Sequence, residues 1–271
     1  MGEKKVENGL VCFFDILGYQ NILINNSIND CAIIIKEILL KTPKNVLENI
    51  LDTASFDEPL YNEIKMFFEE RLDYIMVSDS IIMFFDYDNL DNIEISNAIM
   101  YSMFFITYFK YLSFKSGFPM RSCIDFGQFY FTGNIFAGST IVNCYNESEK
   151  LDFSGIVMTE NAYNFISNKI DDIAELHCKN MITTYLVPLK SGDSKMKHIV
   201  DWYTEPHFHK PDDDVKQFIF NAFHMHNKMV DQTVIKKINN TENIIRYFLY
   251  RKNMKIKRHI TNGNSTPPEG G

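Results

Sequence analysis

The apolar run Val11–Phe14 closes on a single carboxylate, Asp15, and Ile16, Leu17 and Gly18 follow at once. This pattern predicts a buried strand over Gly9–Phe14 that opens into a tight turn. Apolar residues at 33, 34, 35, 38, 39 and 40 recur near the helical period and predict a helix from Asp30 to Leu51, interrupted at Thr42-Pro43. Asp57-Glu58-Pro59 reads as the start of another, with Leu60, Ile64, Phe67 and Phe68 as its buried stripe. LDYIMVSDSIIMFFD is two β-rich runs meeting at Ser78-Asp79-Ser80, a hairpin with one acid at its tip. Asp91 to Lys115 reads as a long core helix stopped by Gly117 and Pro119. Met120–Phe131 is a strand pair or one bulged strand kinked at Gly127.

A helix over Ser139–Leu151, a strand over Gly155–Met158 and a helix from Thr159 to Ile166 continue the alternation. The whole predicts an α/β (α+β) fold with helices interleaved through a mostly antiparallel sheet. MITTYLVPL and MKHIVDWY are strand-like, and 212–230 and 241–255 read as two amphipathic helices. The expected organisation is one catalytic-type domain over 8–205, a helical extension over 206–260 and a disordered tail over 261–271.

Composition narrows the partners. With 271 residues, 45% hydrophobic and 14% aromatic, the chain can bury a sizeable core. A net charge of −8 argues against a nucleic-acid groove, and a polyanionic ligand would need metal ions or local N–H donors. Five cysteines without a CxxC pair indicate neither a zinc knuckle nor a disulfide framework. The most apolar window, 95–114, is interrupted by Ser96, Asn97, Ser102, Thr107 and Lys110 and reads as a core helix. A bilayer span wants about 20 nearly unbroken apolar residues, so no membrane association is expected. MGEKKVENG lacks the apolar segment of a signal peptide, and a cytoplasmic location is the expectation.

Asp15 and Asp79 each stand at the end of an apolar strand, where an unpaired acid is costly. His207-Phe208-His209 and His224-Met225-His226 have no matching acid cluster and read as ordinary side chains. Asp212-Asp213-Asp214 reads as a helix N-terminus.

Four stretches together resemble the class III nucleotidyl cyclase homology domain: FFDILG at 13–18, VSDSIIMFF at 77–85, RSCIDFG at 121–127 and GSTIVNCYNESEKLDFSGIVMT at 138–159. The order and spacing are those of the family, and the closer likeness is to the Pycsar pyrimidine cyclases of bacterial antiphage systems. That resemblance implies a ferredoxin-like βααββαβ core and active sites formed between two subunits of a homodimer. It further implies cyclisation of UTP or CTP to a 3′,5′-cyclic monophosphate that acts on a separate effector protein.

The roles carried over are these. Asp15, Asp79 and the carbonyl of Ile16 would hold two divalent ions, Mg²⁺ or Mn²⁺, about 3.5–4 Å apart. Ile16, Leu17 and Gly18 would offer N–H groups to the phosphates. Arg121 would neutralise phosphate charge from the partner subunit, or pair with an acid. Asn143 and Tyr145 are candidates for contacting base or ribose.

The departures concern purine chemistry. Ile75 stands where purine cyclases of the family carry a base-reading Lys, and Ile135-Phe136 where they carry Asp or Thr. The late helix has no Arg at the expected position, where Val142/Asn146 or Asn143/Glu147 stand depending on the register. Alternatives are an adenylate or guanylate cyclase reading its base through other residues, and a cyclase-like module that only binds nucleotide.

Overall fold

The computed structural model describes residues 6–53, 57–170, 178, 180–204 and 214–263. Strand β1 runs over Glu7–Ile16, longer than expected because its sheet neighbours pair with it to the end. Helix α1 (Tyr19–Asn25) follows the Gly18 turn, and α2 (Ile28–Ile33) passes through a π-helical turn (Ile34–Leu39) to α3 (Thr42–Thr53). The cap of α2 is Ser27, whose hydroxyl accepts the Asp30 N–H; Asp30, the expected cap, lies in the first turn. The interruption expected at Thr42-Pro43 is the junction between the π turn and α3.

Helix α4 (Glu58–Arg71) starts at the Asp57 cap, then β2 (Leu72–Val77) and β3 (Ser80–Asp86) form the hairpin. Ser78 adopts a left-handed φ of 56° in its two-residue turn, a costly position for a residue with a Cβ. Helix α5 (Asn92–Lys115) begins with a reciprocal capping box between Asp91 and Glu94. Then come β4 (Met120–Thr132), a single long strand, and β5 (Ile135–Ala137), a short arm pairing back on it. Helix α6 (Ser139–Glu149), β6 (Gly155–Met158), α7 (Glu160–Lys169), β7 (Ile182–Pro188) and β8 (Ser194–Val200) complete the sheet.

The strand order is β2-β3-β1-β4-β6-β8-β7, with β4 and β6 parallel and the other pairs antiparallel. Its first four strands have the ferredoxin-like order, and the architecture is mixed α/β. Alternation along β1 assigns the faces. Phe14 meets Phe109 of α5 at 4.9 Å between ring centroids, while Phe13 meets Tyr145 of α6 at 5.7 Å. Asp15 therefore shares the α6 face with Phe13.

After β8 the expected helix over 212–230 is α8 (Val215–His224), capped by Asp214; residues 205–213 lie outside the described residues. It ends early because His226 and Asn227 both take left-handed φ, at 62° and 56°. The last helix, α9 (Gln232–Gly263), starts well before Thr241. Its first two turns are mostly polar and hide the pattern, yet Val234, Ile238, Thr241, Ile245 and Phe248 form one stripe against the core. The expected tail loses 261–263 to this helix, and 264–271 lie outside the described residues. Phe218 and Phe223 of α8 pack on Phe114, and the Thr241 hydroxyl accepts the Ser154 N–H, so both late helices seat on the sheet domain.

Candidate functional site

The two strand-end acids meet. Asp15 lies opposite Ser80 in the β1–β3 register, and the Ile16 N–H donates to the Asp79 carbonyl at 2.8 Å. On its other side Asp15 lies opposite Arg121 of β4. Arg121 Nε donates to Asp15 Oδ2 at 2.8 Å, and Nη2 donates to the same oxygen. Nη2 also reaches Glu149 Oε1 at 2.6 Å, and Nη1 the Glu149 carbonyl at 3.3 Å. Lys190 pairs with the second Glu149 oxygen at 3.3 Å.

Of the two expectations for Arg121, phosphate charge from the partner subunit or pairing with an acid, the structure shows an acid pair: neighbouring strands place Arg121 beside Asp15 of its own chain, a buried acid rather than an exposed one. Asp15 is 7% exposed. Burial pushes its carboxyl up, Arg121 pulls it back, and the charges of Asp79 and Glu149 push it up again. Asp79 is half-buried, and its charge adds to burial in raising the Tyr19 phenol. Tyr19, unremarkable in the sequence, thereby joins the site.

Among the described residues no group of three or more His, Cys, Asp or Glu is placed to hold a metal ion. Two carboxylates nevertheless fit Mg²⁺ or Mn²⁺ chemistry, since such ions take several ligands from water and substrate phosphate. Both guanidinium bonds to Asp15 go to Oδ2, leaving Oδ1 without a hydrogen-bond donor among the described residues. The Asp79 charge is close enough to raise the Asp15 carboxyl, and this pair of like charges is what a divalent cation would neutralise.

The turn is less open than the sequence suggested. The Ile16 and Leu17 N–H groups are engaged by the carbonyls of Asp79 and Pro119, both at 2.8 Å. They are not available to phosphate in this conformation. Gly18 has φ +79°, so the turn itself requires glycine.

Asn143 and Tyr145 of α6 lie apart from one another. Tyr145 is 51% exposed over Phe13, two residues from Asp15. Asn143 donates to Asp125 Oδ2 at 3.0 Å, and Asp125, opposite Val11, also accepts from Thr159 and the Phe126 N–H. Asp125 lies four residue steps along β4 from Arg121, about 13 Å. A cleft of about 460 Å³ opens there, lined by Asn143, Asn146, Glu147, Lys150, Lys195 and Lys197 among others. Asn143 and Glu147 of one register both line it, and of the other register Asn146 lines it while Val142 does not. Burial raises Glu147, but Lys150 and Lys197 outweigh it and hold the carboxyl below its usual range. Lys195 and Lys197 were missed because they come from β8, an alternating strand with no motif.

The His224-Met225-His226 pair holds no metal-like geometry: His224 bonds the Phe220 carbonyl and His226 the Ser116 carbonyl. His207 and His209 lie outside the described residues. Among the described residues no helix is long and apolar enough to cross a membrane.

No family model matches the chain, and no curated protein is significantly similar to it in sequence. Solved structures do align. One is a class III adenylyl cyclase-like ATP-binding protein from Pseudomonas aeruginosa, at 14% identity and a TM-score of 0.40 over 63% of this chain. The alignment spans 37% of that protein's length. Another is the guanylate cyclase domain of RhGC from Catenaria anguillulae in complex with GTP, at 12% identity and a TM-score of 0.42, covering 72% of this chain and 96% of that one. A third is the catalytic core of a rhodopsin-guanylyl cyclase with converted specificity in complex with ATPalphaS, at 12% identity and a TM-score of 0.43, covering 74% and 98%.

Proposed function

We propose that the chain is a nucleotidyl cyclase that converts UTP or CTP to the 3′,5′-cyclic monophosphate and pyrophosphate. It works as a homodimer, and its product signals to a separate effector protein in antiphage defence. The observation that carries this reading is the convergence of Asp15 and Asp79 at the shared end of β1 and β3, with Arg121 beside them. In the reaction the ribose 3′-oxygen forms a bond to the α-phosphorus, the bond to the β-phosphate oxygen breaks, and the hydroxyl proton passes to solvent.

Asp15, through Oδ1, Asp79 and the Ile16 carbonyl would hold two Mg²⁺ or Mn²⁺ ions. Bound there, such ions supply charge neutralisation and acidify the 3′-hydroxyl. Arg121 favours the ionised form of Asp15 and brings a planar donor array to where phosphate oxygens would arrive. Gly18 keeps the turn free of a side chain. Asn143 and Tyr145 contact base or ribose; because Asp125, the partner of Asn143, stands about 13 Å from Arg121 along β4, the two half-sites suit a nucleotide held between two subunits. The apolar Ile75 and Ile135-Phe136, where purine readers would stand, support a pyrimidine substrate.

The test is incubation of purified protein with each of the four nucleoside triphosphates and Mn²⁺, with products identified by mass spectrometry. Cyclic UMP or cyclic CMP as main product is expected. Cyclic AMP or GMP would replace the pyrimidine reading, and no cyclic product from any of the four would leave a binding module. Asp79→Ala should abolish product with the fold intact.

A further inference from the structure

The Gly18 turn is gripped by a segment from the far end of the chain. Residues His226–Met229, between α8 and α9, lie across it. The Lys228 side chain is buried, and its Nζ donates to the Gly117 carbonyl and, at 2.7 Å, to the Ala222 carbonyl. Its Cδ sits 3.1 Å from where a Cβ on Gly18 would be. His226 Nε2 donates to the Ser116 carbonyl at 2.7 Å. On the other flank, Asn25 donates to the Asn227 carbonyl and Asn26 to the His226 carbonyl, both at 2.8 Å. Asn227 returns a bond to Asn26 Oδ1 at 2.9 Å. The segment thus ties helix α1, which leaves the turn, to the Ser116–Gly117 connection that leads into Pro119, whose carbonyl holds Leu17.

Two consecutive left-handed residues, neither glycine, shape this segment, and such strain persists only where surrounding contacts enforce it. A buried lysine is costly as a mere filler. Burial pulls the Lys228 amine down to about 7, and a neutral amine still has two N–H donors for its two carbonyls. We infer that Lys228 and the His226–Met229 segment are a positioning device for the Asp15–Gly18 turn, setting the place of the nucleotide's phosphates from outside the site. This inference rests on the cyclase reading for its consequence and on the packing alone for its structural half.

The test uses the full chain. Lys228→Met removes the two donors, Asn26→Ala removes both bonds between Asn26 and the segment together with its bond to the Ile22 carbonyl of α1, and Asp91→Ala, at the distant cap of α5, is the control for general destabilisation. Hydrogen exchange of the amides of residues 17–22 should rise at least fivefold in Lys228→Met and measurably in Asn26→Ala, and stay unchanged in Asp91→Ala. In the cyclase assay with Mn²⁺, KM for the nucleotide should rise about tenfold in Lys228→Met with kcat changed less than threefold. Unaltered exchange in both strap variants overturns the inference, as does raised exchange with unaltered KM. If wild-type protein forms no cyclic nucleotide, the cyclase reading fails and exchange alone decides the strap. Should Lys228→Met not fold, Asn26→Ala carries both measurements.

Discussion

A guanidinium lies on the buried Asp15 carboxyl and opposes the upward push of burial, and that arrangement is asymmetric. Replacing Arg121 by Leu leaves the carboxylate buried without its partner, and breaking such a pair from one side costs about 3–5 kcal/mol. Urea unfolding of Arg121→Leu should show a loss of that size. Asp15→Asn should lose much less, because Arg121 still holds the Glu149 carboxylate and carbonyl, yet it should form no cyclic product. Equal losses in the two variants would contradict the pairing. Asp15 and Asp79 were legible in the sequence because an apolar run that ends on a lone acid breaks its own pattern. The pairing of Asp15 with Arg121 was not, since it depends on the register of two strands that brings together residues 106 apart. The N–H groups of Ile16 and Leu17 misled for a related reason: local sequence says where a turn is, and distant carbonyls decide whether its donors are free.

Elements whose end signals coincide with a clear apolar pattern were legible, and those that lack either were misplaced. Helix α5 has an Asp cap, a Glu three residues on and a Gly stop, and the structure has it within one residue of the reading. The Asp91 carboxylate accepts the N–H groups of Ile93 and Glu94, at 2.8 and 2.9 Å. Asp91→Ala should lower stability by about 1 kcal/mol, measured by chemical denaturation, with activity unchanged. Helix α9 has a cap too, since Asp231 accepts from the Thr233 hydroxyl and the Val234 N–H. Lysines and asparagines fill its first turns, so the apolar stripe emerges only over a longer window. Helix α8 was overextended because its apolar residues run on, while the left-handed pair at 226 and 227 stops it; no glycine there announces the stop.

At the scale of the whole molecule, burial of Lys228 couples the C-terminal half to the site and leaves a trace in stability. Its amine, pulled down to about 7 by burial, loses its proton in the folded chain where the unfolded chain, near 10.5, still holds it. From this group stability therefore climbs with pH between those values, by up to about 1.4 kcal/mol per unit, and the penalty is fully present below pH 7. Unfolding of the wild type at pH 7, 8 and 9 should show this climb, and Lys228→Met should flatten it; identical slopes would reject the burial. The second molecular property is the separation of the two half-sites. Asp15, Asp79 and Arg121 stand at one end of β1 and β4, and Asp125, which holds Asn143 at the cleft, stands about 13 Å along β4 from Arg121. In the proposed homodimer, a nucleotide closed between two subunits would take the acids from one chain and the cleft from the other. Asp79→Ala and Asn143→Ala, each inactive alone, should then complement each other when mixed. A mixed dimer carries one intact site and one doubly damaged one, so an equal mixture should regain about a quarter of wild-type activity if subunits exchange freely. Exchange is checked with tags on the two variants. Mixed dimers without activity would mean that each chain completes its own site, and the homodimeric site would have to be abandoned.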